Sequence, residues 1–409
     1  MITDIQSELK GIINPLIDKI PKTALGLERH VEIGKIIDAQ SDDVRAYLKD
    51  TIDSYLELME RNEASDIDLG GDGCDGFVWY RIHGNKKPWK EIPQATKDET
   101  NFLCHNLLMP SQREFLLNKR NLDFSYLIEN EGEDTKRFRA DMYLDLEHLA
   151  LNMRKIETTV RPFKQLNFHP EIAKALSLKY LKFGLTLVTG ITGSGKSSTL
   201  DTIIDANNRS VDSHIVIISS PVELVHKPHR SIVRHREVGR DVMSFREGAV
   251  QALRQDPDII MIGELRDAET IMTALEVTDS GHKTFSTLHT ASATESIDRI
   301  IGEVPANEQE RVQNRLADVL TCVISQKLVP TVDGKRVLAK EVLLTTTSVK
   351  AAIRNNNTNE IYQMLMEGSA YGMHTLEQDL KRLYEAKIIS LDEALNQANN
   401  KKRLKEIIS

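Results

Sequence analysis

Gly190-Ile191-Thr192-Gly193-Ser194-Gly195-Lys196-Ser197 matches the spacing G-x-x-x-x-G-K-[ST]. Glycines in such a run let backbone N–H groups wrap a phosphate, and a following helix adds the positive end of its dipole. The flanks fit that chemistry. Gly184-Leu185-Thr186-Leu187-Val188-Thr189 reads as an apolar strand, and Ser198-Thr199-Leu200-Asp201-Thr202-Ile203-Ile204 continues as a helix. In this setting Gly190, Thr192, Gly193, Ser194, Gly195 and Ser198 line the phosphates of a nucleotide. Lys196 holds the β- and γ-phosphates and Ser197 ligates Mg²⁺, so the motif points to ATP with Mg²⁺. A ligand-free glycine turn is the plain alternative, and it leaves the flanking strand and helix unexplained.

Asp256-Pro257-Asp258-Ile259-Ile260-Met261-Ile262-Gly263-Glu264 is an apolar strand that ends in an acid. In a parallel sheet that acid falls at the carboxyl edge, where ligands bind. Glu264 would either hold a water on the Mg²⁺ or orient the attacking water; a solvated strand-end acid is the simpler reading. Arg266 and Asp267 read as a local ion pair or helix cap.

The elements around these motifs divide the chain. Ile2, Ile5, Leu9, Ile12, Ile13, Leu16, Ile17 and Ile20 recur at helical spacing, with Pro15 expected to kink or divide that helix. A second helix is expected at about 42–62, capped by Ser41 or Asp42, with Val44, Tyr47, Leu48, Ile52, Tyr55, Leu56 and Met59 on one stripe. Short β-rich runs follow at 65–69, 76–84, 123–128 and 137–143, with a turn at Glu131-Gly132-Glu133-Asp134 and one helix across 97–118. This reads as a small α+β domain on an antiparallel sheet. A connection carries Pro162 and Pro170. Beyond it Ile215-Val216-Ile217-Ile218 and Ile259-Ile260-Met261-Ile262 suit central parallel strands buried on both faces. From about 348 the chain is helical and polar.

Composition bounds the class. The 409 residues carry 53 basic and 61 acidic side chains, a formal charge of −8, which argues against broad coating of nucleic acid. The 3 cysteines, Cys74, Cys104 and Cys322, form no CxxC pair, so neither a disulfide framework nor a four-cysteine zinc site is expected, and a reducing compartment fits. No apolar run approaches the roughly 20 residues of a membrane span. The N-terminal residues do not read as a signal peptide. A cytoplasmic, multidomain protein is expected.

Taken in order, the phosphate loop, Ile262-Gly263-Glu264-Leu265-Arg266-Asp267, and Gly281-His282 through Thr287-Leu288-His289-Thr290 resemble the secretion ATPase superfamily of type II and type IV secretion and type IV pili. The likeness is strongest to its PilT-like branch, the pilus retraction motors, and covers about residues 60–400. Ala64-Ser65-Asp66-Ile67-Asp68-Leu69 is similar to the family's opening motif, Arg137-Phe138-Arg139 to its arginine strand, Ala352-Ile353-Arg354-Asn355 to the start of its AIRNLIRE motif, and Gly372-Met373-His374-Thr375 to its C-terminal region. The cysteine count argues against the zinc-bearing extension motors, while the DotB-type secretion ATPases share the same motifs.

The resemblance implies an α/β, RecA-like P-loop ATPase core preceded by a PAS-like α+β domain. The divisions are a helical extension over 1–60, the PAS-like domain over 61–158, a linker over 159–172, the core over 173–347 and a helical C-terminal segment over 348–409. It implies that Glu264 is the second acidic motif, that Glu223 polarises the attacking water, and that His289 senses the γ-phosphate with His282 beside the same box. Arg137, Arg139 and Arg154 would reach the nucleotide's phosphates. It implies a homo-hexameric motor, peripheral to the membrane at the cytoplasmic inner-membrane face, working on a platform protein to retract pili (twitching motility). Each His, Glu223 and each arginine also has an ordinary reading, as a core, surface or ion-paired residue. The family's acidic box reads Glu-Asp-Pro-x-Glu, whereas Ser219-Ser220-Pro221-Val222-Glu223 lacks two carboxylates, so a weakly hydrolysing nucleotide-binding assembly factor is a further reading. Asn356-Asn357-Thr358 replaces the rest of AIRNLIRE.

Overall fold

The computed structural model describes residues 2–128, 135–156 and 159–408. The expected turn at 131–134 lies outside them. The chain forms two compact units. The first holds residues up to 158 together with 220–224 and 237–241, and the second holds the rest. Among the described residues no helix is long and apolar enough to cross a membrane.

In the first unit the strands are β1 (Ala64–Gly70), β2 (Trp79–Ile82), β3 (Asn85–Pro88), β4 (Asn121–Ile128), β5 (Lys136–Asp145) and β6 (His148–Lys155). They form one sheet in the order β3-β2-β1-β6-β5-β4, and the paired neighbours run antiparallel. Helices Ile2–Ile17, Gly26–Asp38 and Asp42–Arg61 share its core: Leu9, Ile13, Ile33, Ile37, Leu48, Ile52 and Leu56 are buried with Ile67, Tyr80, Phe138 and Met153. The stretch from Leu9 to Met59 is therefore packed into this unit's core. Each such fully buried aliphatic side chain is worth about 1.5–3 kcal/mol of transfer free energy.

Two helical expectations are corrected. The single helix over 97–118 is two, Lys97–Asn106 and Pro110–Lys119. Pro110 has no N–H to continue the first but suits the opening turn of the second. Pro15 neither divides nor ends the first helix, which runs two residues further, to Ile17.

In the second unit the strands are β7 (Gly184–Thr189), β8 (His214–Ser219), β9 (Ile232–Glu237), β10 (Ile259–Ile262), β11 (Lys283–Leu288), β12 (Leu320–Pro330) and β13 (Arg336–Leu344), in the order β13-β12-β7-β11-β10-β8-β9. Strands β8, β10, β11, β7 and β12 pair in parallel, and β13 closes the edge antiparallel to β12. The two apolar runs lie at β8 and β10 with Ile259, Ile260 and Ile262 fully buried. Helix Lys196–Ser210 sets Leu200, Ile203 and Ile204 against Ile215, Ile217, Met261 and Phe285. The expected linker contains a 3-10 turn, Phe163–Leu166, and the start of helix Pro170–Leu176. The C-terminal helices bury Leu376, Leu380, Leu383 and Leu404 with Val329 and Ala339.

Candidate functional site

Parallel pairing puts the carboxyl ends of β7, β10 and β11 on one edge of the second unit's sheet. Thr189 pairs with Leu288 and Ile262 with Ser286, so Gly190, Gly263-Glu264 and His289 leave the sheet side by side. Gly190 N–H donates to Leu288 O at 3.3 Å, Leu265 N–H to Thr287 O at 3.0 Å, and Gly263 N–H to Ile218 O at 2.8 Å. Thr287 Oγ1 donates to Gly263 O at 2.7 Å, tying the acid-bearing segment down.

Gly190 adopts φ +148°, and a Cβ there would lie 2.5 Å from both Gln326 O and Ser194 Oγ, so the loop closes only on glycine. Gln326 Nε2 donates to Ser194 O at 2.8 Å, and Thr189 Oγ1 lies 2.8 Å from Ser325 Oγ. Gln326 and Ser325 come from β12, more than 130 residues downstream, and no local motif marks them. Among the described residues Ser194 Oγ is buried without a hydrogen-bond partner, inside a loop whose glycines suit an anion. Lys196 Nζ donates to Gly190 O at 2.8 Å and Ile191 O at 3.1 Å, so its ammonium is held at the loop's own carbonyls. Burial pulls the Lys196 ammonium down from its ordinary value, with Glu264 opposing.

Glu264 Oε1 accepts from Arg266 at 2.6 Å, and its Oε2 lies 3.8 Å from His289 Nε2. Asp267 caps helix Ala268–Asp279 through Thr270 N–H at 2.8 Å, so Arg266 and Asp267 are the ion pair and cap their positions suggested. His289 is pushed below the ordinary imidazole range, first by burial and then by Lys196, with Glu264 opposing. Both causes favour the neutral imidazole, which can donate one hydrogen bond without adding charge.

His282 is not brought to this edge. It precedes Lys283 at the amino end of β11, roughly 20 Å from the end that His289 follows, at about 3.3 Å per residue. Its Nδ1 lies 3.1 Å from Val277 O and 3.0 Å from Ser280 Oγ, at the end of helix Ala268–Asp279. The expectation that it shares the nucleotide loop is thus corrected within this unit. The two histidines are close only in sequence, since the intervening strand is extended.

Glu223 and the arginines belong to the first unit. Arg139 lies 3.6 Å from Glu223 and 3.3 Å from Asp123. Arg154 holds the buried Asp66 at 2.6 Å, and Arg137 donates to Val222 O at 3.2 Å. Burial lowers the Arg137 guanidinium, with Glu237 opposing. Among the described residues no group of three or more His, Cys, Asp or Glu side chains could bind a metal. Ser197 and Glu264 could offer Mg²⁺ one hydroxyl and one carboxylate. That sparse set suits an ion that keeps its waters and leans on substrate phosphates.

Comparison with known proteins agrees with this geometry. The family model described as type II/IV secretion system protein matches residues 43–408. The type IV pilus retractation ATPase PilT of Pseudomonas aeruginosa is 36% identical over 347 residues, 85% of this chain and 98% of that protein. The twitching motility protein of Neisseria gonorrhoeae is 35% identical over 333 residues, 81% of this chain and 87% of that protein. Among solved structures, the pilus retraction motor PilT with bound ADP matches with a TM-score of 0.75 at 35% identity, covering 86% of this chain and 98% of that one. The ATPase DotB of Legionella pneumophila matches with a TM-score of 0.73 at 27% identity, covering 87% and 94%.

Proposed function

The chain belongs to the type II/IV secretion system protein family and is a PilT-like ATPase, and on that premise we propose that it is the hexameric motor that retracts a type IV pilus. The observation that carries the reading is the single sheet edge holding the phosphate loop, Glu264 and His289. ATP is the substrate. Lys196 releases its loop carbonyls to neutralise the β- and γ-phosphates, while the loop's N–H groups, Thr192 through Ser198, hold the chain of phosphates. Ser197 and, through water, Glu264 would hold Mg²⁺, which would supply charge neutralisation on those phosphates. Glu223 polarises the attacking water. Neutral His289 donates toward the terminal phosphate and reports its loss to the strand that carries it. Arg137, Arg139 and Arg154 neutralise charge in the assembled motor. The first unit's sheet domain is taken as PAS-like. The assembly works at the cytoplasmic face of the inner membrane on a platform protein.

The DotB match gives a second reading, a secretion or conjugation motor with the same site chemistry. Deletion of the gene in its own organism separates the two. The retraction reading expects pili that assemble and do not retract, restored by the wild-type chain and not by Lys196→Ala. Normal retraction with a blocked export substrate would replace it by the secretion reading. In vitro, Lys196→Ala should lower ATP turnover on the order of 10²-fold or more with the fold retained. Unchanged turnover would overturn the site.

A further inference from the structure

Strand β4 ends the first unit's sheet, so among the described residues the N–H groups on its outer side have no strand to pair with. One of them is answered by a carboxylate from far along the chain. Ser125 N–H donates to Glu237 Oε1 at 3.1 Å. The other oxygen of that carboxylate, Oε2, accepts from Val222 N–H at 3.0 Å. Residues 220–224 and 237–241 both belong to the first unit. Glu237 is 2% exposed, and its two oxygens tie the backbone of Val222 to the sheet edge.

Glu237 is itself held. Its N–H donates to Asp241 Oδ2 at 2.8 Å, and its carbonyl accepts from Asp241 N–H at 2.8 Å, which closes a turn. Gly239, at φ +85°, lets that turn pass beside β4, where a Cβ would lie 3.4 Å from Leu122 Cδ1. Val222 is held on its other side as well, since its carbonyl accepts from Arg137 at 3.2 Å. The peptide planes on both sides of Val222 are thus fixed, and the second of them carries Glu223. Arg137 and Arg139 stand two residues apart on β5 and share a sheet face. Arg139 lies 3.6 Å from the Glu223 carboxylate, whose side chain stays 36% exposed. Glu223 therefore projects from a backbone that is pinned by a buried acid and bordered by arginines.

We infer that Glu237 is a positioning residue for ATP hydrolysis: it aims Glu223 by holding Val222, and touches no substrate itself. The task needs a carboxylate, because one rigid group must accept from two N–H donors that come from different segments. A glutamine keeps one acceptor and sets its NH₂ against the other N–H, donor facing donor. A displacement of about 1 Å in a group that acts on the attacking water is worth on the order of 10²-fold in rate, so loss of one tether reaches the chemistry. This rests on the ATPase reading above, in which Glu223 polarises the attacking water, and adds the residue that orients it.

The test is a double-mutant cycle on the full chain, with wild type, Glu237→Gln, Glu223→Gln and the double variant compared in steady-state phosphate release and in calorimetric titration with MgADP. Glu237→Gln should lower kcat roughly 10- to 100-fold, while the KM for ATP and the ADP affinity stay within about twofold of wild type. In the Glu223→Gln background the same substitution should change kcat by less than about twofold, because no aim is left to lose. Melting followed through Trp79 and Trp89, both in the first unit, reports that unit's fold. If Glu237→Gln loses that transition, Glu237→Asp, too short to reach both N–H groups, takes its place in the cycle. Wild-type kcat in Glu237→Gln, a matching loss of ADP affinity, or an undiminished loss of kcat in the Glu223→Gln background would each overturn the positioning role and leave the reading of Glu223 in place. Wild-type kcat in Glu223→Gln would overturn both.

Discussion

Residues in this chain carry chemistry when a neighbour leaves them something to do. Among the described residues Lys196 Nζ donates to the carbonyls of its own loop and Ser194 Oγ has no hydrogen-bond partner. Arg154 is more fully engaged: Asp66 is buried beside Arg154 and Arg81, the latter at 3.5 Å, so a phosphate would have to compete with that carboxylate for Arg154. Glu264 sits between these extremes, mostly buried and shared by Arg266 and His289. Replacing it with glutamine keeps its shape and removes its charge. Glu264→Gln should reduce steady-state ATP turnover on the order of 10²-fold while ADP affinity stays within about threefold, measured by phosphate release and calorimetry. Equal losses in turnover and ADP binding would mean that Glu264 shapes the loop and takes no part in the chemistry. The motif residues were legible because a phosphate loop is contiguous. Gln326 and Glu237 were silent as site residues, since their partners come from distant segments.

At the scale of elements, the parallel strands were readable because burial on both faces demands short, wholly apolar runs. The helix Gly26–Asp38 was not: its buried stripe is His30, Ile33, Gly34 and Ile37, which is too mixed to register as apolar. Nor was β3, whose sequence Asn85-Lys86-Lys87-Pro88 is that of an edge strand. Glu341 of β13 is a sharper case, because it holds helix starts. It accepts from Ala293 N–H at 2.8 Å, the first residue of helix Ala293–Gly302, and is bonded by the backbone of Leu376, the first of helix Leu376–Glu385. Burial nevertheless raises its carboxyl to about 7, with those backbone bonds opposing and Glu377 adding to the rise. Between the ordinary carboxylate range and about 7 the folded protein keeps this proton and the unfolded chain has lost it. Its contribution is therefore full at acid pH and falls as pH rises through that window. The melting temperature of Glu341→Gln relative to wild type should rise by several degrees, roughly 2–8 °C, between pH 5 and pH 8. A pH-independent difference would show that the carboxyl stays ionised throughout.

The two units have separate cores, one under the antiparallel sheet and one in the parallel sheet, and they carry different reporters. Both tryptophans, Trp79 and Trp89, lie in the first unit, whereas the phosphate loop lies in the second. A ligand that binds only the folded state at about 100 times its Kd adds about 2.7 kcal/mol. For a unit of this size that is roughly 5–10 °C in midpoint. MgADP should therefore raise the second unit's transition by that amount in scanning calorimetry, and Lys196→Ala should abolish the rise. A rise of the same size in the variant would place ADP elsewhere.

Much of this protein is written along the chain. Local backbone chemistry marks the phosphate loop, because its glycines and lysine must be consecutive to wrap one phosphate. Apolar run length marks the parallel strands, and the excess of acid over base weighs against a nucleic-acid surface. What only the tertiary structure decided depends on which strands become neighbours. Extended β11 sends His282 and His289 to opposite edges although only six residues lie between them, and the antiparallel return of β13 sets Lys340 across from Gln326. Strand order is settled by packing between distant segments, and no window of sequence contains it.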